Sequence, residues 1–266
     1  MPHSKQAAHD VVSTGRLAVM VAVTLAVLKT WAYVETGSTA VLSSLLDSAG
    51  DVLVSLMTWA SLIYAVRPAD DDHRYGHGKM EGLSALGQAI LLGLGGIFLA
   101  YEGIQHLMTP VPLTTPALGI GVLIFAIVAS YLLVRIQTKT ITQHKSLAVE
   151  ADRGHYTGDM ATNAGALIVL ILVPLTGWHW IDPLFALIMA GVMVHLTYTI
   201  GTSAIDMLLD HEVDPETKHR FAHLILQDKR IVRLHDLRVI RHGMRLIATY
   251  DIELDGSITL NTAHTI

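Results

Sequence analysis

Six runs of about 20 apolar residues, each long enough to cross a bilayer as a helix, recur near 14–34, 39–66, 82–108, 116–136, 147–174 and 183–209. Such a pattern leaves little choice of fold, because in lipid every backbone polar group must be satisfied within its own segment. The expectation is an all-α bundle of six transmembrane helices. Composition agrees: hydrophobic residues make up 52% of the chain, charged residues only 15%, and mean hydropathy is +0.47. A net charge of −5 gives no footing for nucleic acid. The chain contains no cysteine, so no disulfide or thiolate site is available and any metal must be held by His and carboxylate.

The breaks between runs carry turn chemistry: Glu35-Thr36-Gly37-Ser38, Arg67 to Lys79, Thr109-Pro110-Val111-Pro112, Lys139 to Lys145, and Thr176-Gly177 to Asp182-Pro183. Basic residues alternate with them. Lys5 and Arg16 precede or open the first run, Arg67, Arg74 and Lys79 lie between the second and third, and Arg135, Lys139 and Lys145 lie between the fourth and fifth. The other connections have none. This places both termini on the cytoplasmic side of a multi-pass membrane protein. Lys29, inside the first run, is the exception and is expected to snorkel outward, with pairing to an acid inside the bundle as the alternative. Residues 1–13 read as a cytoplasmic segment without the features of a cleaved signal peptide, and 14–209 as the transmembrane domain.

The second run holds Asp47 and Asp51, one helical turn apart and so on one face. A carboxylate near the bilayer centre costs roughly 2.5–3.5 kcal/mol on insertion scales, and two on one turn need more than neighbouring hydroxyls to neutralise them. The fifth run repeats the spacing with His155 and Asp159. Three carboxylates and one imidazole meeting between these helices form a four-ligand cage for a divalent cation. Metal and protons would compete for it, which is what exchange of one for the other requires. One imidazole among oxygens suits Zn2+, while an all-oxygen cage would favour Mn2+; Fe2+ and Cd2+ also fit. Asp152 and Arg153 sit nearer the cytoplasmic end and read as an entrance or an interfacial salt bridge.

Two further clusters are open to more than one reading. Asp70, His73 and His77, in the loop after the second run, have metal-ligand spacing, while Asp70-Asp71-Asp72 is equally a solvated charge run. Glycines at 82, 87, 93, 95, 96 and 103 give the third run close packing or freedom to slide. After 209 the character changes to a small domain, 210–266. Asp214-Pro215-Glu216 starts a helix running to about Gln227. Leu234 to Ile240 reads as a strand, Arg241-His242-Gly243 as a turn, Leu246 to Leu254 as the partner strand, and Leu260 to Ile266 as the first turns of a helix. That is too little to cover a sheet alone, so the domain reads as incomplete or partner-covered. His235, His242 and His264 with Asp236, Asp251 and Asp255 give a possible metal cluster there.

The six runs, Asp47-Ser-Ala-Gly-Asp51, the loop Asp70…His73-Arg-Tyr-Gly-His77-Gly-Lys79…Glu81, the His155…Asp159 pair and the small tail together resemble the cation diffusion facilitator family, most closely its bacterial zinc and ferrous-iron efflux antiporters. The resemblance implies a homodimer that exchanges a cytoplasmic divalent metal for protons, with a small α+β ferredoxin-like cytoplasmic domain. It also implies that Asp47, Asp51, His155 and Asp159 are the transport site and that Asp70, His73 and His77 form a loop site. Lys79 and Asp210 would be a charge interlock at the dimer contact. His235 and His264 would be tail ligands, with Asp251 standing where close relatives carry His. Two other functions compete: a membrane sensor or scaffold that binds metal without moving it, and an intramembrane metal-dependent hydrolase. The hydrolase is disfavoured by the lack of an H-E-x-x-H motif and of a separate general base.

Overall fold

The structure is a computed structural model that describes residues 2–36, 39–108, 117–178 and 180–266. Among the described residues are six long helices, α1 (Pro2–Thr36), α2 (Thr39–Ala65), α3 (Met80–Met108), α4 (Ala117–His144), α5 (Leu147–Thr176) and α6 (Ile181–Leu208). A small domain follows, made of α7 (Pro215–Ile225), β1 (Ile231–His242), β2 (Arg245–Leu254) and α8 (Leu260–His264). Over their described residues α1, α2, α3, α4 and α6 are long and apolar enough to cross a membrane. The first half of α5 instead carries Glu150, Asp152, Arg153 and Asp159. Large apolar side chains such as Leu94, Phe98, Val128 and Tyr198 point outward, as a surface bathed in lipid requires.

Two helices overrun the apolar runs that announced them. At 35 residues α1 spans roughly 52 Å at 1.5 Å per residue, well beyond a core of about 30 Å. Its stretch from Asp10 to Thr14 pairs with the overrunning end of α4: Thr14 and Thr140 share a hydrogen bond of 2.9 Å, and His144 Nε2 lies 3.2 Å from Asp10 Oδ2. Val11 is fully buried there with Leu62, Ala148 and Val149. The expected break at 139–145 is therefore mostly helix, and the chain turns only at Lys145, whose φ is +57°.

α3 and α6 pack along their whole length. Ala85, Ala89 and Leu92 meet Ile200, Ala204 and Met207, with Leu147 and Ala151 of α5 completing the cluster. Here the glycines of α3 serve close approach: a Cβ at Gly93 would stand 3.0 Å from Thr197, and one at Gly96 3.1 Å from Met193. Helices α1, α2, α4 and α5 form the other side of the bundle around Ala18, Leu133 and Tyr156.

In the small domain Asp214 caps α7 by accepting from the Thr217 N–H, with Pro215 in the first turn. The two strands are antiparallel, and His242 pairs with Arg245. The turn is thus Gly243-Met244, later than the expected 241–243, and Gly243 at φ +62° is the residue that permits it. Thr259 caps α8 by accepting from the Thr262 N–H.

Candidate metal centre

Helix α2 presents Asp51 toward α5, and α5 presents His155 and Asp159 one turn apart. His155 Nε2 lies 3.0 Å from Asp51 Oδ1 and 3.5 Å from Asp159 Oδ2. One ligand atom from each of the three lies within 4.8 Å of the others. Ligand atoms about 2.0 Å from a tetrahedral zinc stand about 3.3 Å apart, so these separations are edges of such a tetrahedron. Side-chain exposures of 17–26% leave the group sheltered but reachable. Asp47 is on α2 one turn before Asp51; its side chain lies outside the described residues.

The helices around this group are tied by buried polar contacts. Tyr156 Oη donates to the Ala18 carbonyl at 3.2 Å and shares a 2.9 Å hydrogen bond with Ser55 Oγ, joining α1, α2 and α5. Asp152, expected as an entrance or interfacial salt bridge, is 1% exposed. It accepts from Gln137 Nε2 at 2.7 Å and from Thr58 Oγ1 at 3.4 Å. Its partners come from α4 and α2, which sequence spacing does not reveal. Lys29 likewise departs from expectation: it is 7% exposed and donates to Ser48 Oγ at 2.6 Å instead of reaching outward.

The loop after α2 gathers Asp70, His73 and His77 to within 4.8 Å. Asp70 Oδ1 accepts from the His73 backbone N–H at 2.7 Å and meets His73 Nδ1 at 3.1 Å, while Oδ2 faces His77 Nε2 at 3.3 Å. The His73 backbone N–H does most to hold the exposed Asp70 carboxyl below the usual carboxylate range. His77 is buried against the Tyr64 ring, 4.7 Å between centroids. Its Nδ1 has no hydrogen-bond partner among the described residues.

Lys79 Nζ lies 2.8 Å from Asp210 Oδ2 and donates to the Leu208 carbonyl at 3.1 Å, fastening the start of α3 to the end of α6 within one chain. The tail residues behave differently. His235 pairs in register with Asp251, but its Nε2 reaches diagonally to Glu253 Oε1 at 2.9 Å, and Asp236 beside it bulges at φ +46°. Among the described residues His235, Asp251 and His264 do not converge as a metal group. Glu253 was not singled out from the sequence. Its one signal is its place two residues after Asp251 on the same face of a strand.

Comparison with known proteins adds the family. Residues 16–209 match the cation efflux transmembrane domain, and residues 213–266 match the cytoplasmic domain of cation efflux proteins. The chain is 39% identical over 252 residues to the cation-efflux pump FieF of Shewanella oneidensis, covering 94% of this chain and 84% of that one. It is 34% identical to the proteins of that name from Citrobacter koseri over 250 residues (93% and 82%) and Escherichia coli O1:K1 over 243 residues (90% and 80%).

Proposed function

Because the chain belongs to the cation efflux family, whose members export divalent cations and are not enzymes, we propose that it exports Zn2+ from the cytoplasm in exchange for protons. Asp47, Asp51, His155 and Asp159 hold the ion in transit. The observation that carries this reading is the approach of one imidazole nitrogen to two carboxylates at 3.0 and 3.5 Å. In the absence of metal, that nitrogen and those oxygens share protons; a divalent cation takes the same lone pairs and expels the protons. Loading by metal from one side and by protons from the other then couples the two fluxes. A nitrogen donor among oxygens favours Zn2+ over Mn2+, with Fe2+ and Cd2+ as the competing cargoes.

Asp70, His73 and His77 would bind a second ion in the loop, off the transport path. The matched cytoplasmic domain would pair two copies into a homodimer. In support, the domain exposes Leu224, Val232, Tyr250 and Leu260 and buries no residue of α7. Lys79 and Asp210 would lie near that contact, both termini would face the cytoplasm, and the host membrane would be the inner one.

The test is competition binding of Zn2+, Fe2+, Mn2+ and Cd2+ to purified protein, followed by flux into vesicles with an acid interior. Zinc accumulation that collapses with the pH gradient, and falls at least ~10–100-fold in His155→Ala, is the expected result. Flux indifferent to the pH gradient removes proton exchange, and preference for Mn2+ removes the cargo assignment.

A further inference from the structure

A lysine ammonium buried inside an apolar bundle demands a reason, since burial of a charge is costly unless a partner compensates it. Lys29 of α1 is such a residue, 7% exposed, with its Nζ donating at 2.6 Å to the hydroxyl of Ser48, itself 1% exposed on α2. Ser48 stands one residue after Asp47 and three before Asp51. The ammonium is therefore held within about one turn, ~5 Å along the axis, of both positions through which α2 supplies acid to the metal centre.

We propose that Lys29 is the fixed counter-charge of the transport site, setting both its metal affinity and the net charge of its loaded form. The inference rests on the four-residue transport site described above. Three carboxylates contribute −3, a divalent cation +2 and Lys29 +1, so the loaded site is neutral. A neutral site changes its access across a bilayer without moving net charge through the membrane field. Without Lys29 the loaded site carries −1, and its movement becomes work against that field. The same ammonium repels the bound cation, so it weakens binding and favours release.

Lys29→Met and Lys29→Gln remove the charge, and Lys29→Arg keeps it. Zinc affinity is measured by titration of purified protein. The loaded step is isolated by zinc-for-zinc exchange across vesicles clamped at 0 and −100 mV, where no net proton movement is needed. The expected result is affinity about tenfold or more tighter in both neutral variants. Their exchange should change several-fold per 100 mV, up to about fifty-fold for a charge crossing the whole field. The wild type and Lys29→Arg should be insensitive to voltage. A lysine that served only as packing or hydrogen-bond glue would not tighten binding when removed, so weaker or unchanged affinity with voltage-independent exchange in both neutral variants overturns the proposal. Absence of zinc exchange in the wild type would instead overturn the transport reading itself, and retention of exchange in Asp51→Ala would overturn the site assignment.

Discussion

At the scale of single residues, the proposed preference for zinc rests on donor chemistry. His155 supplies the one nitrogen in a group otherwise made of carboxylate oxygens, and zinc tolerates imidazole far better than manganese prefers it. His155→Asp is therefore expected to keep a divalent site while lowering zinc affinity about 10–100-fold and raising the ratio of manganese to zinc binding, as read by competition titration. An unchanged ratio would mean that the imidazole does not set the preference. That His155 and Asp159 stand together was legible because both sit on one helix, where a four-residue spacing fixes a shared face. Asp152 and Lys29 were not legible. Their environments depend on Gln137, Thr58 and Ser48, which arrive from other helices, and no local pattern encodes which helix lies opposite.

At the scale of elements, the orientation of α5 governs where His155 and Asp159 stand, and its N-terminus is held from outside. Ser146 Oγ accepts from the Val149 N–H at 3.4 Å and donates to Glu81 Oε2 of α3 at 2.6 Å; that same carboxylate oxygen accepts from the Ala148 N–H at 3.4 Å. Glu81 is 1% exposed, so Glu81→Ala strands a buried hydroxyl and a helix-end N–H. The expected cost is about 1–3 kcal/mol, seen as a lower thermal midpoint in detergent, with Glu81→Gln recovering part of it. A midpoint equal to wild type in Glu81→Ala would show that water or another group caps α5. Further along the same helix, any side chain at Gly165 would enter the ring of Phe185 on α6. Gly165→Ala should destabilise by about 1–3 kcal/mol, and the added substitution Phe185→Leu should relieve it; equal losses in single and double variants would exclude the contact. Element identity was readable from hydropathy and capping residues such as Asp214. The extensions of α1 before residue 14 and of α4 to His144 were not, because apolar runs report where lipid lies, whereas these stretches meet each other through Asp10 and His144 and through Thr14 and Thr140.

At the scale of the whole molecule, the small domain has little core of its own and leans on the membrane part through its hairpin turn, where Met244 packs against the cluster of Val11, Leu62, Ala148 and Val149 and the backbone comes close to the loop after α2. The hairpin turn sets Gly243 against Gly78 of the loop after α2: a Cβ at Gly243 would fall 2.9 Å from Gly78, and a Cβ at Gly78 would fall 2.6 Å from both Nδ1 and the carbonyl oxygen of His242. His242 is 7% exposed. Burial is the main cause that pushes its pKa below the ordinary histidine value; nearby Lys79 adds to the shift and Asp210 opposes it. The docked imidazole thus holds a proton less tightly than the undocked one, which takes up more protons as pH falls. The docking free energy is fully present above the ordinary histidine value, about 6.5, and is lost as pH drops below it through the lower value of the docked state. Hydrogen exchange of the β1–β2 turn should therefore be slow at pH 7.5 and faster at pH 5.5, after correction for the intrinsic rate. His242→Asn should flatten that dependence, since asparagine fills part of the same space without titrating. Lys79→Met should also weaken it, because removing a neighbouring positive charge lets the docked imidazole keep its proton. Protection that is equal at both pH values in the wild type, or a pH response that survives in His242→Asn, would assign the docking to the glycine contact and the packing of Met244 and leave His242 as a passive filler of the interface.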